Sequence, residues 1–178
     1  IPSADQGQYS GWLESTREFV ILFVILLAGI TADRIGRKTI AIIGFILLAV
    51  GYFLFPFAQS IPQIFSFHAI AAAGNACITG MMSTIIADYV FDQDRGKASA
   101  VQGILIALAF PVVGLVLKPL PKYFQNAGYG EITAGAYSYY LVAALALFVA
   151  FILYLGLKDV AKKEEKLSFG TLLAEGFA

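Results

Sequence analysis

The chain has 178 residues, 59% hydrophobic and only 13% charged, with twelve basic residues balancing twelve acidic ones. A soluble domain carries roughly 25% charged side chains because its surface faces water, so a soluble fold is excluded, and the balanced charge gives no pull towards nucleic acid. One cysteine and one histidine exclude an internal disulfide and a multi-histidine or cysteine-rich metal site. No catalytic constellation or phosphate loop stands out, so neither an enzyme nor a cofactor is expected.

The charges are absent from long stretches. None falls between Thr39 and Ala87, between Ala98 and Leu117, or between Ile132 and Leu157. A membrane helix needs about 20 mostly apolar residues, and a lipid-facing backbone must bond to itself. The chain is therefore predicted to be all-α, a polytopic membrane helix bundle over residues 1–157. Five transmembrane helices are expected, at about 12–32, 39–57, 61–87, 98–117 and 134–157. Residues 158–178 form a cytoplasmic basic tail or inter-domain linker, with the makings of an interfacial helix.

Glu14, Arg17 and Glu18 share one face at the start of the first span. They either line an outward-facing mouth or form a solvated helix start. Gly36 sits in the short turn to the second span, and Pro56, Gln59, Ser60 and Pro62 divide the second from the third. In the third span His68 is the one ionisable residue at membrane depth. Such a group faces either a wet pathway, where its titration near neutrality suits proton coupling, or a neighbouring helix as a neutral hydrogen-bonding partner. Asn75 and Gln102 are neutral polar residues in or beside spans, suited to substrate contact or to holding helices together. Ala72, Ala76 and Gly80 recur at four-residue spacing, as do Gly103 and Ala107, which lets helices approach closely. Pro111 is expected to kink the fourth span.

Basic residues set the orientation. Arg34, Arg37, Lys38, Arg95, Lys97, Lys158, Lys162, Lys163 and Lys166 fall on one side, against Arg17, Lys118 and Lys122 on the other. The richer side is cytoplasmic, so the N-terminus of this chain lies outside and Tyr137, Tyr139 and Tyr140 open the last span at the outer interface. Asp33 and Asp88 end helices where the macrodipole disfavours an acid, and Arg37, Lys38, Arg95 and Lys97 start helices where it disfavours a base. Cross-pairing between the two turns resolves both conflicts, with Asp33 expected to meet Arg95 and Asp88 to meet Arg37 or Arg34. The plain alternative leaves all of them solvated among the headgroups.

The run Gly29-Ile30-Thr31-Ala32-Asp33-Arg34-Ile35-Gly36-Arg37-Lys38 resembles the signature between the second and third helices of major facilitator superfamily transporters. Thr31 departs from it, where that family usually has leucine. Asp88 and Arg95-Gly96-Lys97-Ala98 resemble its passage from the fourth to the fifth helix, and the tail with Leu167, Leu172 and Leu173 resembles the start of its inter-domain loop. Pro111 and Gly114 keep only part of the antiporter signature, and His68 stands where an arginine is frequent. The resemblance implies helices two to six of a six-helix N-terminal half, cut from a longer protein. It also implies secondary transport of a small solute by alternating access, with Gly29, Asp33, Arg34, Gly36, Arg37, Lys38, Asp88 and Arg95 as a cytoplasmic gating motif. The implied partners are the plasma-membrane bilayer, the absent first helix and C-terminal half, and a small-molecule substrate that the sequence does not identify. A non-transporting multi-pass protein, such as a scaffold, a sensor or a fragment of a membrane enzyme, is the alternative.

Overall fold

The computed structural model describes residues 6–157, and the expected tail at 158–178 lies outside them. Six α-helices follow one another: α1 (Gln6–Ile35), α2 (Arg37–Leu54), α3 (Ile61–Tyr89), α4 (Arg95–Val112), α5 (Leu120–Asn126) and α6 (Glu131–Gly156). Among the described residues four helical stretches are long and apolar enough to cross a membrane: Arg37–Phe57, Ile61–Ile86, Asp92–Asn126 and Glu131–Gly156. Against the expected five spans, α1 is helical over 30 residues but carries Glu14, Arg17 and Glu18 in its first half. Its uncharged part, 19–32, is shorter than a full span.

Packing is inside-out relative to a soluble domain. The buried residues are mostly alanines, in one cluster of Ala28, Ala32, Ile40, Ala41, Cys77 and Met81 and another of Ala49, Ala143 and Ala146. Large side chains such as Phe19, Leu115 and Leu155 point outward and are at least two-thirds exposed. A continuous apolar exterior of this kind needs lipid, not water, around it. The number and length of its apolar helices fit a multi-pass membrane protein.

The closest approach is between α2 and α3, and glycine permits it. A Cβ on Gly51 would stand 2.6 Å from the Ala71 nitrogen, and one on Gly74 would stand 2.5 Å from both the Gly44 carbonyl oxygen and the Leu48 nitrogen. A Cβ on Gly44 would be 2.9 Å from that of Cys77. The expected stripe on α3 is buried too, at Ala72 and Ala76, but Gly80 looks towards Ile25 of α1. The expected stripe on α4 is not packed: Gly103 has nothing within 4 Å, and no described residue of α4 is buried.

Three local features were not anticipated in this form. The expected kink is a widened turn: beyond Pro111 the helix opens into a π segment, Val113–Leu117, in which the Lys118 N–H donates to the Val113 carbonyl at 3.1 Å. Proline has no N–H and crowds the carbonyl four residues back, so it loosens the turn that leads up to the π segment. The short helix α5 stands in what read as a loop. It ends in a Schellman motif, with Gly128 at φ 96°, the Tyr129 N–H donating to the Phe124 carbonyl at 3.1 Å, and the Gly128 N–H to the Gln125 carbonyl at 2.9 Å. The Phe124 and Tyr129 rings supply its usual apolar contact, 6.2 Å apart. Finally, α3 begins with Pro62 in its first turn, and the Gln63 side chain reaches back to accept the Gln59 N–H at 2.7 Å.

The two glycine environments give opposite expectations. Gly51→Ala forces α3 away from α2 and should cost about 1–3 kcal/mol, the usual range for overpacking. Gly103→Ala meets open space and should be neutral or slightly stabilising. Thermal unfolding in detergent checks both, and equal midpoints for the two variants would rule out a close α2–α3 seam.

Candidate functional site

One residue turns α1 into α2. Gly36 has φ 94° and ψ 143°, a region open in practice only to glycine, and its N–H still bonds the Ala32 carbonyl at 3.0 Å. The reversal places Arg37 in the first turn of α2, facing the last turn of α3 across the glycine seam. There its Nη1 donates to Asp88 Oδ1 at 2.5 Å and to the Thr84 carbonyl at 3.2 Å. Thr84 and Asp88 are four residues apart and share a helix face, so one guanidinium meets both. The Thr84 hydroxyl turns away, donating to the Met81 carbonyl at 2.9 Å.

The pairing settles the charge conflict at this end of α3. The guanidinium sits at the negative end of the α3 dipole, where a cation is favoured, and it offsets the acid stationed there. Both side chains are largely covered, 21% exposed for Arg37 and 26% for Asp88, so water screens the pair less than a surface ion pair. The next residue reaches the other neighbour of α2: Lys38 Nζ lies over the Tyr154 ring of α6, 5.4 Å from its centroid. Arg37 and Lys38 thus tie the start of α2 to the ends of α3 and α6.

The other expected cross-pair does not form. Arg95 Nη2 meets Asp92 Oδ1 at 2.9 Å, and Lys97 Nζ meets Asp94 Oδ1 at 2.8 Å. Each of these acids lies three residues before its base, in the short turn that leads into α4. Asp33 and Arg34 are exposed, and neither takes part in an ion pair among the described residues. Gly29 is half-buried with nothing within 4 Å. Asp92 and Asp94 were missed by the sequence reading, although their three-residue spacing from Arg95 and Lys97 was there to be used.

The remaining candidates lie elsewhere. His68 is 20 residues before Asp88, about 30 Å along α3. Its ring meets Phe55 edge to face at 6.4 Å, and its buried Nε2 has no hydrogen-bond partner among the described residues. On α1, Arg17 Nη1 lies 2.8 Å from Glu14 Oε2 and 3.5 Å from Glu18 Oε1, so these three pair with one another on an exposed helix surface. Asn75 and Gln102 are half-buried on separate helices. The candidates therefore divide into a group at the Arg37–Asp88 end and a dispersed group around α1, α3 and α4. No group of His, Cys, Asp and Glu suited to a metal occurs among the described residues.

The sequence pattern of the Major Facilitator Superfamily matches residues 4–174. The chain is 27% identical over 153 residues to the provisionally named niacin/nicotinamide transporter NiaP of Bacillus subtilis, covering 86% of this chain and 36% of that protein. It is 27% identical over 119 residues to multidrug resistance protein 3 of Bacillus subtilis, covering 64% and 23%. With magnetosome protein MamH of Paramagnetospirillum magneticum it shares 25% over 170 residues, covering 91% and 37%. No solved structure gives a significant match. The chain spans about a third of the length of most of these relatives.

Gly36 offers a clean test of how the motif is held. Gly36→Ala puts a Cβ into glycine-only backbone and should lower unfolding free energy in mixed micelles by about 1–3 kcal/mol. Gly96→Ala, in the first turn of α4 with nothing within 4 Å, should leave it unchanged or slightly raised. A Gly36→Ala protein as stable as the parent would mean that the turn does not adopt this backbone.

Proposed function

Because the chain belongs to the major facilitator superfamily, we propose that it forms most of one half of a secondary active transporter that moves a small solute by alternating access. Family and relatives support a transporter role rather than an enzymatic one. In this reading α1 also crosses the bilayer, giving five spans, and the remaining helices of the same transporter complete the pathway. The membrane is the plasma membrane, with the Arg37–Asp88 end cytoplasmic and the start of α1 outside, as the distribution of basic residues favours.

The Arg37–Asp88 pair with its Thr84 contact is the observation that carries the proposal. Alternating access needs an element with two arrangements of similar free energy, and a charge pair between two helix ends can be made in one and broken in the other. Its carboxylate–guanidinium bond is of the charge-assisted kind, about 1.5–3 kcal/mol when well covered, enough to shift a two-state population by about tenfold or more. Asp33 and Arg34, exposed beside it, are free to meet groups on the other half in the closed arrangement. His68 supports the same reading from the opposite direction. A buried nitrogen without a partner is costly, and water or solute reaching it in an outward-open state would satisfy it.

Single-cysteine accessibility in a Cys77→Ala background tests orientation and gating together. A cysteine at position 97 should react with an impermeant reagent only from the cytoplasmic side, and one at position 11 only from outside; the reverse pattern would overturn the orientation. In the full-length transporter, Asp88→Asn should change labelling at cytoplasmic pathway positions by about tenfold while folded yield stays close to that of the parent. Unaltered labelling would remove the pair from the gate. His68→Phe should impair uptake or alter its pH profile, and unchanged uptake would leave His68 a packing role.

A further inference from the structure

The end of the bundle away from the ion pair is crowded with rings. Tyr139 of α6 stacks on Phe55 at 4.9 Å and 23°, and Tyr52 of α2 lies 6.3 Å from Tyr139 at 31°. Beside this stack is a cavity of about 300 Å³, whose walls include Tyr52, Leu117 of the π segment, Pro121 of α5, and Ser138, Tyr139 and Val142 of α6. It exists because α4 does not continue straight. The π turn and the prolines at 119 and 121 carry the chain sideways into α5, which rests on α6 through Phe124 and Tyr137, 5.6 Å apart. The pocket is half-open, and π turns are frequent at functional sites. The volume falls at the small end of ligand pockets, about 300–1,000 Å³.

The lining specifies the chemistry. It carries no charged side chain, so an ion would lose its hydration without a counter-charge. Leu117, Pro121 and Val142 supply apolar contact, and the paired rings supply a flat wall. Tyr139 is gripped from one side by Phe55, so little ordering cost remains for a ring that joins the stack. Among the described residues neither the Tyr52 nor the Tyr139 hydroxyl has a hydrogen-bond partner, although a half-buried phenol normally finds one. The Ser138 hydroxyl donates to the Ala134 carbonyl at 3.0 Å, which leaves its oxygen able to accept.

We propose that this cavity binds a small, uncharged, planar amphiphile: an aromatic ring carrying one hydroxyl or N–H group. Its ring extends the Tyr139–Phe55 stack, and its polar group meets the Tyr52 and Tyr139 hydroxyls. The site does not include His68, which reaches it only through Phe55, and it does not depend on the transport reading.

The test uses 1-naphthol, titrated into the full chain in lipid nanodiscs and followed by its fluorescence. Saturable binding of one molecule per chain is expected. Val142→Trp, which fills the cavity, should weaken binding by about tenfold or more, and Tyr139→Phe, which removes one oxygen, by about threefold to tenfold. Gly103→Ala, remote and open, should bind as the parent does. If Val142→Trp fails to fold, Tyr139→Phe alone decides, since it preserves the stack. Benzyltrimethylammonium, a cationic ring, should not displace the probe at equal concentration, although tyrosine faces can attract cations. Uptake no greater than that of empty nanodiscs, binding unaffected by the cavity variants, or displacement by the cation would each overturn the proposal.

Discussion

Everything at the Arg37–Asp88 end of this bundle depends on how closely α2 and α3 can approach. Gly44, Gly51 and Gly74 leave no room for a single extra carbon between the two helices. In a bilayer there is no hydrophobic gain from helix contact, because lipid tails are as apolar as leucine; close packing and polar contacts must supply the association. The seam provides that packing, and it sets the distance at which Arg37 reaches both Asp88 and the Thr84 carbonyl. Without it the guanidinium would meet headgroups and water, where an ion pair is worth little.

The seam also explains why α2 is the organising helix. It packs on α3 along one side and on α6 along another, and its first two residues, Arg37 and Lys38, bond in opposite directions. At its far end Phe53 and Phe57 meet Tyr140, while Tyr52 and Phe55 meet Tyr139. A charge tie at one end and aromatic contacts at the other hold α6 to α2. Helix α4 is packed differently: it touches α3 only sparsely, and none of its described residues is buried.

Much of this was legible in the sequence. The uncharged runs located the apolar helices, Pro56 and Pro62 marked the division between α2 and α3, and the wrong-end charges pointed to Asp88 meeting Arg37 or Arg34, of which Arg37 is the partner. What failed did so for physical reasons. Helical spacing finds stripes of small residues but not which stripe meets a neighbour, so Gly103 and Ala107 were read as a seam while Gly44, Gly51 and Gly74 were passed over. The pairing of Asp33 with Arg95 overlooked Asp92, which reaches Arg95 with far less chain to order. The helix α5 was hidden because Pro119, Pro121 and Lys122 read as a loop, whereas proline in a first turn is compatible with a helix. The π turn has no periodicity signal of its own; Pro111 announced a disturbance but not its form.

The central claim is that Arg37 and Asp88 are coupled across the membrane edge of α2 and α3, rather than independently solvated. A double-mutant cycle of Arg37→Ala and Asp88→Ala, read as unfolding free energy in mixed micelles, measures that coupling directly. The geometry and partial burial predict a coupling of about 1–3 kcal/mol, with each single variant costing nearly as much as the double. Additive single effects, with a coupling near zero, would contradict the account.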